Sequence, residues 1–350
     1  MEIPVANVYY LLCYAWNKLE ESDTIKVEPT QSTELVDLFA RVLINGLEHL
    51  LKKGVDRGYV VHSEEGHVLR GKLNLQATLK RSLLSRGQVH CDYDDLSYDV
   101  LHNQIVKAML ARLRRTNDIK RENRSKLVDL WQRLPEVRSI KLTKQMFGNV
   151  QLHRNNYIYD FLLRTCELLF DNLLPTHEVG AWRFRSFLQG DGMPALFESF
   201  VRNFYKREMP SVCGNEFVKV ERENISWRYA AISEGSARML PKMQTDVCIT
   251  RKTQKTIVEC KFTADPLRAG QYGGLPKLIE GHLYQLNSYL DNLSDEPLNN
   301  QCHAILLYPL ASRPIALDYS RPRGQRISVR TLDLMQEWRG IHRDLLSLIP

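Results

Sequence analysis

Asp246 lies thirteen residues before Glu259-Cys260-Lys261 in the stretch LPKMQTDVCITRKTQKTIVECKFT, residues 240–263. Two carboxylates and a lysine at this spacing suit hydrolysis of a phosphodiester with the help of a divalent cation. The runs Val247–Thr250 and Thr256–Cys260 alternate or are β-branched, and the polar RKTQK between them reads as a turn, so the spacing predicts a hairpin. Pairing across that turn sets Asp246, just before one strand, beside Glu259 and Lys261 near the end of the other. Glu259 and Lys261 are two apart and leave the same face of a sheet. Carboxylates this close repel unless a divalent cation lies between them, and Mg²⁺ takes one or two carboxylates together with substrate phosphate and waters. The lysine can orient or deprotonate the attacking water and balance the charge of the phosphorane. The competing reading of the same three residues is a set of solvated charges at a hairpin edge.

The elements around the hairpin favour the first reading. Downstream, KLIEGHLYQLNSYLDNL (277–293) repeats Leu278, Ile279, Leu283, Leu286, Tyr289 and Leu290 at helical spacing, with Gln285 and Tyr289 on one face. Upstream, MPALFESFVRNFYKREM (193–209) is a helix with a Leu196, Phe197, Phe200, Val201 and Phe204 stripe, and Glu198 on its flank. The order is a helix at 193–209, strands near 216–230, 243–250 and 256–262, a helix at 277–292, and strands at 303–309 and 325–332. This α-β-β-β-α-β series, with its E-x-K strand and following Q-x₃-Y pair, resembles the core of the PD-(D/E)XK nuclease superfamily and its RecB-like members. The resemblance implies that Gln285 and Tyr289 lie near the metal site and the DNA, and that Glu198 completes the metal shell. An ordinary exposed helix glutamate is the other reading of Glu198.

A chain of 350 residues with 43% hydrophobic and 25% charged residues is long enough for two or three domains with real cores. Its net charge of +7 and pI near 8.9 suit contact with a polyanion without requiring it. Seven cysteines, odd in number and without a C-x-x-C pair, predict free thiols in a reducing cytoplasm rather than a disulfide framework or structural zinc. No H-x₃-H or H-E-x-x-H pattern supports a zinc hydrolase, and no G-x₄-G-K-[ST] supports a nucleotide site of the chain's own. No apolar run reaches bilayer length, so no membrane contact is expected, and the acidic start without a small-residue cleavage site does not read as a secretory leader.

The N-terminal half reads as a helix at 4–19, a second at 31–53 ended by Gly54, and a small antiparallel sheet from YVVH, HVLRGKLNL and QVHCDY. A basic helical arm follows in HNQIVKAMLARLRRTNDIKRENRSKLVDLWQRLP. The expected organisation is therefore mixed, α+β or α/β. Residues 1–175 form a helical and small-β domain with its basic helical linker, and residues 176–350 form a PD-(D/E)XK nuclease-like domain.

Four segments, IPVANVYYLLCYAW (3–16), LRGKLNLQAT (69–78), DLSYDVLHNQIVKAML (95–110) and LPKMQTD (240–246), together resemble the McrC family, the nuclease subunits of McrBC modification-dependent restriction systems. The likeness spans essentially the whole chain. It implies catalysis by Asp246, Glu259 and Lys261, with Glu259 standing where other members often carry Asp. It implies Mg²⁺ held by Asp246 and Glu259, with the backbone carbonyl of Cys260 as a further ligand. It implies cleavage of methylcytosine-containing double-stranded DNA. It further implies a partner, an McrB-like AAA+ ring that hydrolyses GTP, into whose pore the N-terminal half inserts to stimulate hydrolysis. Two other functions suit the same residues: a non-catalytic activator of an AAA+ ring with a vestigial nuclease fold, and a stand-alone RecB-like repair nuclease.

Overall fold

Val247–Arg251 and Lys255–Cys260 pair antiparallel as predicted, Thr250 opposite Lys255 and Val247 opposite Val258. They lie within a computed structural model that describes residues 3–21, 34–152, 156–175, 182–184, 192–214, 218–230, 232–263, 265–268, 275–293, 299, 301–322 and 324–349. The chain divides into two compact units, Glu20–Ser186 and a second that joins Met1–Leu19 to Phe187–Pro350.

The first helix, α1 (Val5–Ala15), is thus part of the unit that carries the hairpin, which differs from the division at 175/176 expected from sequence. Its packing explains why. Tyr14 meets Phe200 and Phe204 of the helix Gly192–Val212, Tyr10 stacks on Trp338, and Asn203 Nδ2 donates to the carbonyls of Tyr14 and Ala15. Asn7 Nδ2 donates to the carbonyls of Leu334 and Gln336, both at 2.8 Å. A buried amide that satisfies two loop carbonyls ties α1 to the far end of the chain.

In the unit Glu20–Ser186, α2 (Leu35–Lys53) is followed by a three-stranded antiparallel sheet in the order β1-β3-β2, from β1 (Gly58–Gly66), β2 (Lys72–Leu73) and β3 (Val89–Ser97). The residues 31–33 of the expected second helix lie outside the described residues. Gly71 turns into β2 with φ +63°, and a Cβ there would meet the Asp92 carbonyl oxygen at 2.6 Å. The strand expected to run to Leu75 stops at Leu73, and a short helix, Leu75–Lys80, follows, whose first turn Asn74 caps through Ala77 N–H.

The basic arm is neither one helix nor a linker. It forms α3 (Leu101–Leu113) and α4 (Arg121–Gln132), separated where Asp118 takes a left-handed φ of 66°. Ile105, Val106, Met109, Leu110 and Leu113 bury one face of α3 against α4 and α5 (Tyr157–Asn172), so the arm is core. Asn103 donates to the carbonyls of Asp56 and Tyr98 and accepts from Tyr159 Oη at 2.7 Å, while His102 Nε2 lies 3.0 Å from Asp56 Oδ2. The HNQ motif is therefore a buried polar joint.

In the other unit, α6 (Gly192–Val212) precedes a six-stranded sheet. Its strands are β4 (Val218–Glu221), β5 (Val247–Arg251), β6 (Lys255–Cys260), β7 (His303–Pro309), β8 (Ala316–Ser320) and β9 (Arg326–Leu332), in the order β8-β9-β7-β6-β5-β4. β4, β5 and β6 run antiparallel, β6, β7 and β9 parallel, and β8 closes the far edge antiparallel. Between β6 and β7 lies α7 (Glu280–Asn292), whose Leu286, Tyr289 and Leu290 pack on Ile257, Ala304, Leu306, Tyr308 and Val329. A last helix, α8 (Trp338–Ser347), and strand β8 were not anticipated. The strand expected over 243–250 is interrupted. Met243–Gln244 pairs with Asn224–Ile225, Val247 onward pairs with β6, and Thr245–Asp246 forms the break. Among the described residues no helix is long and apolar enough to cross a membrane.

Candidate active site

The interruption before β5 is what brings Asp246 to its place. Thr245 N–H donates to the Glu223 carbonyl and Thr245 Oγ1 accepts from Glu223 N–H, both at 3.0 Å. This local clamp fixes the residue before Asp246, and Asp246 Oδ2 accepts from Cys260 N–H at 2.9 Å. One position past the last hairpin pair, Asp246 therefore sits beside Glu259. Lys261 Nζ donates to Glu259 Oε1 at 2.8 Å and to Gln285 Oε1 at 2.8 Å. The three residues read from sequence as one site are thus brought together.

Gln285 and Tyr289 reach the same site through a chain of hydrogen bonds. Gln285 Nε2 donates to Tyr289 Oη at 2.7 Å, and Tyr289 Oη donates to the Gln244 carbonyl at 2.9 Å. Tyr289 is only 3% exposed, and its ring packs in the core. The chain Lys261–Gln285–Tyr289–Gln244 fixes the ammonium group from behind. The i,i+4 spacing on α7 was legible, but its direction, towards the lysine, depends on how α7 packs on the sheet.

Glu198 does not join the two carboxylates. It accepts from Arg202 Nη1 at 2.9 Å, one turn along α6, and is ion-paired with Arg222, which follows β4. Arg202 also donates to the Asp246 carbonyl at 3.4 Å and to Ser199 Oγ at 3.2 Å. Among the described residues no three His, Cys, Asp or Glu side chains gather into a cation site. The two arginines were not anticipated; only the Glu198–Arg202 i,i+4 spacing signalled either of them.

The carboxylate pair is held at an electrostatic disadvantage. Burial pushes Glu259 up from 4.5 to about 7, and the neighbouring Asp246 adds to this against the opposing pull of Lys261. Burial also raises Asp246, opposed by the Cys260 N–H, Lys261, Arg222 and Arg202. Glu259 is 1% exposed, and its Oε2 is buried without a hydrogen-bond partner, although Asp246 N–H and the Tyr289 hydroxyl lie near. A buried carboxylate oxygen left unpaired, next to a second carboxylate, is a costly arrangement that a cation would relieve. The donors are hard oxygens, two carboxylates side by side, and such a pair fits Mg²⁺. All seven cysteines are free, and none is a soft ligand of this site.

Comparison with known proteins extends these observations. Residues 6–309 match the family described as "McrBC 5-methylcytosine restriction system component". The chain is 29% identical, over 99% of its own length and 97% of the relative's, to the Type IV methyl-directed restriction enzyme EcoKMcrBC of Escherichia coli (strain K12). Its fold is similar, with a TM-score of 0.58 at 16% identity, to a chain in a refined half-complex from the tetradecameric assembly of Thermococcus gammatolerans McrB AAA+ hexamers with bound McrC. That similarity covers 99% of this chain and 76% of the other.

Proposed function

The chain belongs to the McrBC 5-methylcytosine restriction family, and from that premise we propose that it is the DNA-cutting subunit of a GTP-dependent complex, a Mg²⁺-dependent endonuclease acting on methylcytosine-containing DNA. The observation that carries the reading is the partnerless Glu259 Oε2 beside Asp246, with Lys261 on the other oxygen of Glu259. Asp246 and Glu259, with the Cys260 carbonyl, would hold Mg²⁺, which when bound supplies Lewis-acid polarisation of the phosphate and an acidified water. Lys261 would hold that water and offset the charge that grows on the phosphorus oxygens. Gln285 and Tyr289 keep the Lys261 ammonium in line. The helix–strand–strand–strand–helix–strand order around these residues supports a PD-(D/E)XK core for the domain. One such site cuts one strand, so a double-strand break takes two copies or two successive nicks.

The partner in this proposal is an McrB-like AAA+ ring whose GTP hydrolysis the chain stimulates, and the surface of the unit Glu20–Ser186 supports it. Tyr59 and Val61 on β1, and Val68 and Leu69 beyond it, are 77%, 69%, 67% and 59% exposed. Large apolar side chains this exposed on one small sheet suit insertion into another protein. Seven free thiols suit a cytoplasmic setting. The intact Asp246, Glu259, Lys261 and Gln285 set weighs against a vestigial scaffold, and family membership weighs against a stand-alone repair nuclease.

The test is co-purification with an AAA+ GTPase and incubation of methylated and unmethylated plasmid with GTP and Mg²⁺. Wild-type complex is expected to cut the methylated plasmid alone. Asp246→Ala and Lys261→Ala are each expected to abolish cutting while GTPase stimulation persists. Cutting by Asp246→Ala protein would overturn the site.

A further inference from the structure

Glu198 binds two cations of the protein itself. Its carboxylate receives Arg202 from its own helix and Arg222 from the segment after β4, so these three side chains carry one net positive charge immediately beside Asp246. The two arginines are not equivalent. Arg202 has a side chain 20% exposed and is already committed to Glu198, Ser199 and the Asp246 carbonyl. Arg222 has a side chain 42% exposed. Its position is fixed by the next residue, because the Glu223 backbone is bonded in both directions to Thr245, the residue before Asp246.

We infer that Arg222 contacts a backbone phosphate of nucleic acid entering beside Asp246, and that Glu198 and Arg202 are positioning residues for it, Glu198 being an arginine anchor rather than a cation ligand. The inference rests on the nuclease reading above. A guanidinium presents a rigid fork of donors, so one edge can stay on Glu198 while the other meets phosphate oxygens in a paired, charge-assisted contact. Glu198 limits the swing of a long side chain and lowers the entropy lost when the contact forms. Turning Glu198 towards a cation would take its carboxylate from both guanidinium groups, which is why a third carboxylate is not offered to the site.

The experiment measures binding of a short DNA duplex to the full-length chain by fluorescence anisotropy in EDTA, across about 50–200 mM salt. Arg222→Ala is expected to weaken binding about tenfold. It should also make the slope of log K against log salt shallower by about one. Arg222→Lys should restore the slope while leaving part of the affinity loss, since the charge returns without the fork. Glu198→Gln should weaken DNA binding, yet bind Mn²⁺ in DNA-free protein as wild type does. Arg222→Ala protein with unaltered slope and affinity, in a chain whose wild type cuts DNA, would overturn this inference alone. Glu198→Gln protein that loses Mn²⁺ and keeps its DNA affinity would overturn it equally. Wild-type complex that neither binds nor cuts DNA would remove the nuclease reading, and this inference with it.

Discussion

Replacing Glu259 by Gln is expected to stabilise the cation-free protein at pH 8 while destroying cleavage. Burial and the nearby Asp246 hold the Glu259 carboxyl at about 7 instead of 4.5. At 1.36 kcal/mol per pH unit, keeping it ionised at pH 8 costs the native state on the order of 3 kcal/mol. An acid raised in this way contributes fully to stability below about pH 4.5, and that contribution is lost as the pH climbs through about 7. Glutamine keeps the length and a carbonyl acceptor for Lys261 but not the charge, and the opposing pull of Lys261 is already contained in the value of about 7. The gain of about 3 kcal/mol corresponds to roughly 6–12 °C in melting temperature for a unit of this size. Thermal unfolding of both proteins from pH 4 to 8 in EDTA is the assay. The gap between the curves should open between about pH 4.5 and 8, and Mg²⁺ should raise the wild-type melting temperature and leave the variant's unchanged. A variant that melts below wild type at pH 8, or a gap that does not depend on pH, would refute the reasoning.

Other outcomes follow from the same contacts. Gln285→Ala and Tyr289→Phe should lower kcat for cleavage about 10–100-fold with little change in KM for DNA, because they free Lys261 and leave the DNA surface alone; a loss confined to KM would restore the DNA-lining role. Asn7→Ala removes two hydrogen bonds and orphans the Leu334 and Gln336 carbonyls, so unfolding monitored by Trp338 fluorescence should shift by about 2 kcal/mol. Gly71→Ala forces a Cβ into the Asp92 carbonyl at an unfavourable φ and should cost about 1–3 kcal/mol. In the proposed complex it should also reduce stimulation of the partner GTPase, read by phosphate release, and leave the cation affinity of Asp246 and Glu259 intact.

The hairpin of the candidate site was legible because its strand and turn signals are local. Strand alternation, a polar five-residue turn and an E-x-K step set Asp246 opposite Glu259, while the Glu223–Thr245 clamp that fixes it comes from outside the hairpin. The Gln285–Tyr289 pair was legible as one helix face, but whether that face met DNA or Lys261 was set by the packing of α7 on β6 and β7. Glu198 could be read only in part from its neighbourhood, through the i,i+4 spacing to Arg202. Its second partner, Arg222, comes from another element, and no periodicity connects them. The α1 helix was assigned by chain order, whereas its affinity for α6 and α8 lies in aromatic contacts from Phe200, Phe204 and Trp338. Strand β8 is exposed along its whole length and so carries no burial alternation to detect. The arm over 102–135 carries many basic residues on its outer side, and the Ile105–Leu113 stripe beneath them buries it. In α5, the YIYDFLLRTCELLF pattern has the period of a core helix.

In the proposed mechanism Asp246 and Glu259 share one divalent cation. Anomalous diffraction from a crystal of this chain soaked in Mn²⁺ tests it most directly. A manganese peak is expected between the two carboxylates, within bonding distance of Glu259 Oε2, and it should vanish in the Asp246→Asn protein. A map with no peak there, or with its peak on Glu198 instead, would contradict the account.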